Sequence, residues 1–192
     1  MEAFLVSTAV VAVAEIGDKT QLLALLLAAR FRKPLPIIAG ILVATIANHG
    51  LAALLGSAVN AWLGPELLRW IVGVSFILMG GWILIPDKAD DGPSHFDRFG
   101  AFVTTLVVFF LVEIGDKTQI ATVALGARFN DILVVTAGTT CGMLLADVPP
   151  VLLGDAAATR LPLRLVRAVA ATLFVALGLV ALFNLDQAFS GG

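Results

Sequence analysis

The seven residues Glu15-Ile16-Gly17-Asp18-Lys19-Thr20-Gln21 return unchanged as Glu113-Ile114-Gly115-Asp116-Lys117-Thr118-Gln119, 98 positions later. Seven identities in a row are not chance, and the same offset carries them outward. It lays Ala29, Arg30 and Phe31 on Ala127, Arg128 and Phe129, Gly40 on Gly138, and Gly56 on Gly154. Farther along it pairs Arg69 with Arg167, Phe76 with Phe174 and Gly80 with Gly178. The chain is an internal duplication over nearly its whole length.

Each copy lies in a chain whose solvent is lipid. Of 192 residues, 59% are apolar and only 14% charged, and the mean hydropathy is +1.01, far outside the range of soluble domains. Twelve Lys and Arg against 14 Asp and Glu leave a net charge of −2, so no basic surface points to nucleic acid. A lone cysteine, Cys141, excludes an intramolecular disulfide or a thiolate metal cluster within one chain. The N-terminal segment carries Glu2 and no early Lys or Arg, and reads as a mature span instead of a signal peptide.

A bilayer core of ~30 Å needs about 20 apolar residues per helix. Six segments satisfy that length: Ala3 to Ala29, Leu35 to about Trp62, Leu67 to Ile85, Phe99 to Ala127, Ile132 to Leu153, and Leu163 to Leu185. Pro34, Gly64-Pro65 and Pro86 punctuate the first three, and Pro149 and Pro150 predict a kink or interruption in the fifth. The expected fold is therefore an all-α membrane protein of six transmembrane helices. Residues 1–86 form one three-helix repeat, 87–98 a polar central loop containing His95, and 99–192 the second repeat. Three spans per copy force the second copy to enter from the opposite side, so the repeats are inverted, an architecture of secondary transporters with the site at the repeat interface.

Basic residues set the expected orientation. Arg30, Arg32, Lys33, Lys88, Arg98, Arg160, Arg164 and Arg167 flank the turns after spans one, three and five, whereas only Arg69 and Arg128 flank the other face. That distribution puts the central loop in the cytoplasm and both termini outside. Trp62 and Trp70 then mark the outer interface and Trp82 the inner one.

Both motifs fall at membrane depth, ~18 Å and ~21 Å along their helices at about 1.5 Å per residue. A charged side chain at the bilayer centre costs about 2.5 to 3.5 kcal/mol, so four acids and two lysines facing lipid would oppose insertion by roughly 15 to 20 kcal/mol. They must face one another or water. On a continuous helix, Glu15 and Asp18 project from one side a turn apart, as do Glu113 and Asp116. Thr20, Gln21, Thr118 and Gln119 add neutral oxygens, and Gly17 and Gly115 permit close helix approach or local unwinding. An oxygen-rich, sulfur-free set suits Mn²⁺, Ca²⁺ or Mg²⁺ better than zinc or copper. Four carboxylates and two ammonium groups sum to −2, the charge one divalent ion neutralises.

A bland alternative exists: Glu15–Lys19 and Glu113–Lys117 are four apart and suit local ion pairs that merely join helices. It leaves Asp18 and Asp116 surplus, so the lysines read better as counter-charges beside a cation site. Asn48 and His49, with Asp147 at the repeat position of His49, form a weaker set of candidates for an ion or proton pathway. Asp131, Asp155 and the loop acids read as solvated charges.

Glu, any residue, Gly, Asp, Lys or Arg, Thr or Ser, occurring twice in a six-span duplication, resembles the Gdt-type transporter family, and the general plan is similar to that of the calcium/cation antiporters. The resemblance covers essentially the whole chain. It implies exchange of Mn²⁺ or Ca²⁺ for protons, with Glu15, Asp18, Glu113 and Asp116 as the cation site, no resident cofactor, and, for so compact a chain, manganese export across a bacterial cytoplasmic membrane. A divalent cation channel, an exporter of cationic amino acids and, less favoured, an intramembrane aspartyl hydrolase are the competing classes. Sequence leaves the oligomeric state open.

Overall fold

The computed structural model describes residues 1–85, 99–153 and 163–183. Every regular element among them is helical. In chain order these are α1 (Glu2–Glu15), α2 (Lys19–Phe31), α3 (Pro34–Trp62), α4 (Pro65–Ile83), α5 (Gly100–Glu113), α6 (Lys117–Phe129), α7 (Ile132–Leu153) and α8 (Leu163–Phe183). The expected central loop 87–98 and Asp155, like the end of the sixth expected span, lie outside the described residues.

Four helices, α3, α4, α7 and α8, are long and apolar enough to cross a bilayer. α3 and α4 begin on Pro34 and Pro65, where a missing N–H costs nothing because the first turn has no partner for it. α7 runs through Pro149 and Pro150 to Leu153, so the expected interruption does not occur. Each proline removes the N–H that would have bonded four residues back, to Leu145 and Ala146, and the Ala146 carbonyl accepts instead from the Gln21 side chain at 3.1 Å.

The first and fourth expected spans need a larger correction. Each is two helices, broken at residues 16–18 and 114–116. Gly17 and Gly115 adopt φ of 81° and 79°, a left-handed conformation that an L side chain resists and that no α-helix can contain. The copies end alike as well: Arg32 and Asn130, 98 apart, both turn left-handed and donate their N–H to Ala28 and Gly126 at 2.9 Å.

Packing crosses between the halves. α3 lies against α5 and α6, while α7 lies against α1 and α2, and α4 pairs with α8. Close approach depends on small residues. A Cβ on Gly40 would stand 2.9 Å from the Phe102 carbonyl and 2.7 Å from Thr105 Cβ. One on Gly138 would stand 2.7 Å from the Phe4 carbonyl and 2.9 Å from Ser7 Cβ, the same contacts shifted by 98. Phe76 and its repeat counterpart Phe174 meet edge to face with centroids 5.9 Å apart.

Burial is inside out relative to a soluble protein. Glu15, Glu113, Asp147 and His49 are fully buried, whereas Leu35, Leu55, Trp62 and Leu133 lie exposed on the periphery. An apolar exterior around a charged interior is stable only where the exterior meets lipid. This is an integral membrane protein.

Candidate metal centre

The two helix breaks bring the motifs together. α1 and α5 end on Glu15 and Glu113, and α2 and α6 begin just after Asp18 and Asp116, which occupy the N-cap positions in extended conformation. The partial positive charge of two helix N-termini thus lies beside the acids. Discontinuous helices meeting within a bundle are a recurrent way of presenting backbone ends and carboxylates to an ion.

Loose backbone groups at the breaks are tied down by motif side chains. Gly17 N–H donates to Gln21 Oε1 at 2.9 Å, and Gly115 N–H to Gln119 Oε1 at 2.7 Å. The amide ends donate onward, from Gln21 to the Ala146 carbonyl at 3.1 Å and from Gln119 to Asn48 Oδ1 at 3.3 Å. Asn48 in turn donates to the Phe110 carbonyl at 2.9 Å, one of the acceptors left over at the end of α5. The glutamine oxygens expected as ligands are therefore turned to the backbone, and Gln21, Gln119 and Asn48 act as braces for the breaks. No signal in the sequence separates a glutamine brace from a glutamine ligand.

Three carboxylates converge. Glu15, Glu113 and Asp116 each offer an oxygen within 4.8 Å of the others. Ligands on opposite sides of one ion are separated by at most two bond lengths, ~4.0 to 4.2 Å for Mg²⁺ and ~4.6 to 5.2 Å for Ca²⁺, so the spacing suits a hard divalent cation with little rearrangement. Both Glu15 oxygens and Glu113 Oε1 are buried without a hydrogen-bond donor. Buried carboxylate oxygens without donors are rare and costly, and either a bound cation or a proton offsets that cost. Thr118 donates to Glu113 Oε2 at 3.1 Å, while the buried hydroxyl of its counterpart Thr20 has no hydrogen-bond partner.

The lysines pair across the repeats. Lys19 lies 3.1 Å from Asp116 and Lys117 lies 3.9 Å from Asp18, replacing the local Glu–Lys pairs that a continuous helix would favour. Because the helix breaks between Glu15 and Lys19, they do not share a helical face, and neither do Glu15 and Asp18. Asp18 stands outside the three-carboxylate group, beside Lys117 in a crevice that Gly17, Ile83 and Arg167 also line.

His49 and Asp147 sit at equivalent places on α3 and α7, both fully buried. His49 Nε2 is 3.8 Å from Glu113 Oε2, and Asp147 lies within electrostatic reach of Glu113 and Glu15. The weaker sequence candidates are thus gathered around the same centre.

The family model for the divalent cation/proton antiporter GDT1 matches residues 3–91 and 101–188, nearly the entire chain and both motif copies. The chain belongs to the GDT1 family. A Vibrio cholerae protein named "Putative manganese exporter" is 55% identical over 184 residues, covering 95% of this chain and 92% of that one. GDT1-like protein 4 of rice is 28% identical over 208 residues, covering 95% and 73% respectively. A GDT1-like protein of Synechocystis is 24% identical over 202 residues, with coverage of 94% and 97%. No solved structure matches the chain. GDT1 is a family of transporters and not of enzymes, and membership supports cation transport as the function of this chain.

Proposed function

We propose that the protein exports a divalent cation, Mn²⁺ in the first place and Ca²⁺ in the second, from the cytoplasm in exchange for protons by alternating access. The observation that carries this reading is the convergence of Glu15, Glu113 and Asp116, fully or almost fully buried, with oxygens within 4.8 Å of one another. The preference for manganese rests on the Vibrio cholerae relative's name. In this reading Glu15, Glu113 and Asp116 hold the ion. Asp18 joins them or meets the ion in the crevice, Lys19 and Lys117 supply counter-charge, and His49 and Asp147 line the path.

Six membrane crossings follow if α1–α2 and α5–α6 each count as one broken span beside α3, α4, α7 and α8. Residues 1–86 and 99–192 are then inverted repeats joined by a cytoplasmic loop at 87–98, with both termini outside an inner membrane. The contacts shared at an offset of 98 support that arrangement. Coupling needs no separate machine. The same carboxylates bind either M²⁺ or protons, so loading at the cytoplasmic face displaces protons and the more acidic outer face displaces the metal.

The test is Mn²⁺ uptake and internal pH recorded together in proteoliposomes. Wild type moves Mn²⁺ with counterflow of protons. Glu15→Gln, Glu113→Gln, Asp116→Asn and Asp18→Asn, each checked for folding, lower the flux by about tenfold or more, the loss expected for a buried charged ligand. Normal flux in folded variants removes the site assignment. Metal current without proton movement indicates a channel, and competition by lysine indicates a cationic amino acid exporter.

A further inference from the structure

The two halves share their local geometry, but α4 and α8 break the symmetry. α4 packs on α6, and α8 packs on α1. The repeat offset turns these contacts into α8 on α2 and α4 on α5, and among the described residues those pairs make at most marginal contact. Exposure follows the same division. Val13 and Ile16, beside α8, are half-buried, whereas their counterparts Leu111 and Ile114 are 50% and 55% exposed. Lys117, under the end of α4, is 5% exposed against 20% for Lys19.

One pair of repeat-related arginines registers the difference. Arg167 on α8 donates to the Gly17 carbonyl at 3.4 Å, in the turn between the acids of the first motif. Its counterpart Arg69 on α4 stays instead within its own helix terminus, 3.8 Å from Glu66 and over Trp70. The position equivalent to Glu66 is Arg164, so Arg167 has no such acidic neighbour one turn back on α8.

We infer that α4 and α8 form the moving panel of the transporter, and that Arg167 and Arg69 are alternating positioning residues, one fastening the panel to the Gly17 turn and the other to the Gly115 turn. The inference rests on the alternating-access reading. Halves related by a repeat and sharing the same motif turn have two analogous ways to seat an asymmetric panel, and this structure holds one. In the other, α4 covers α5, α8 covers α2, Leu111 and Ile114 become buried, and Arg69 leaves Glu66 for the Gly115 carbonyl. The panel covers one helix break at a time. The shared α4–α8 contact, with Phe76 against Phe174, moves as a unit.

Disulfide trapping in the full chain in proteoliposomes tests this, in a Cys141→Ala background. Val13→Cys with Ala170→Cys reports the seating seen here, since both residues line the crevice beside Gly17. Leu111→Cys with Val72→Cys, each shifted by the repeat offset, reports the other. Both pairs are expected to cross-link on oxidation, each cross-link stopping Mn²⁺ flux until a thiol reductant restores it. Arg167→Gln is expected to move the ratio of the two cross-links toward Leu111–Val72 by about threefold or more, and Arg69→Gln to move it the opposite way. A purely structural role for either arginine would lower both cross-links together.

The inference falls if Leu111–Val72 never forms at any Mn²⁺ concentration or pH in vesicles that transport, or if the Val13–Ala170 cross-link leaves flux unchanged. Alternating cross-links in vesicles whose Mn²⁺ flux moves no protons would uphold the panel and overturn the antiport reading. Coupled flux with a fixed panel would do the reverse.

Discussion

Lys19 stands 3.1 Å from Asp116, a residue of the opposite motif, while Glu15, its neighbour one turn back in sequence, belongs to a different helix. With Lys117 beside Asp18, the two repeats exchange counter-charges across their interface. An ion pair of this kind holds the halves together only as long as the site stays assembled, which ties folding of the centre to its charge.

A double-mutant cycle on Lys19→Gln and Asp116→Asn, read as thermal unfolding in detergent, should therefore show coupling of about 0.5 to 3 kcal/mol. Each single change lowers stability, and the pair loses less than the sum. The coupling should exceed that between Lys19→Gln and Glu15→Gln. Strict additivity for Lys19 and Asp116 would contradict the crossed pairing.

Gly115→Ala isolates the backbone requirement of the break. Nothing lies within 4 Å of an added Cβ, so the substitution meets no steric obstacle beyond φ of 79°. The left-handed conformation then costs roughly 1 to 2 kcal/mol and favours a straightened helix that withdraws Asp116 from Glu113. Transport should fall much more than expression does. Gly115→Asn, better suited to that conformation, should retain more activity, and equal rates for the two variants would refute the argument.

Helix approach gives a contrast within one residue type. Gly40→Ala drives a methyl group against Thr105 and the Phe102 carbonyl and should destabilise by about 1 to 3 kcal/mol. Gly81→Ala meets open space inside α4 and should leave the unfolding temperature unchanged or raise it slightly, through about 0.5 to 1 kcal/mol of helix propensity. Unfolding temperatures of both variants check this ordering.

Protons and metal share one set of carboxylates in the proposed cycle, which determines the sign of the pH response. Lowering pH on the metal-loading side from about 8 to 6 should raise the KM for Mn²⁺ while changing the rate at saturating Mn²⁺ less. Initial rates in vesicles of defined pH measure it. A KM indifferent to pH would separate the proton path from the metal site.

Much of the molecule was legible in its sequence because the informative terms are local or repetitive. Hydropathy marked the ends of α3 and α7 closely, since the length of an apolar run is set by the lipid it crosses. The repeat was plain in EIGDKTQ alone. Gly17 and Gly115 hinted at unwinding, yet helical spacing argued for one continuous face, and glycine by itself does not announce which φ it takes.

What the sequence by itself determined is a duplicated membrane chain with acids too costly to face lipid. Composition, spacing and identity at a fixed offset are properties of the chain alone. Only the tertiary structure decided that Glu15 and Glu113 converge with Asp116 ahead of Asp18, that each lysine serves the other repeat, and that Gln21 and Gln119 brace the backbone. It alone placed α8 and Arg167 against the Gly17 turn while leaving Ile114 and Gly115 of the other turn exposed. These outcomes depend on which surfaces of two repeat-related halves pack together, and a motif that both halves carry unchanged holds no information about that choice.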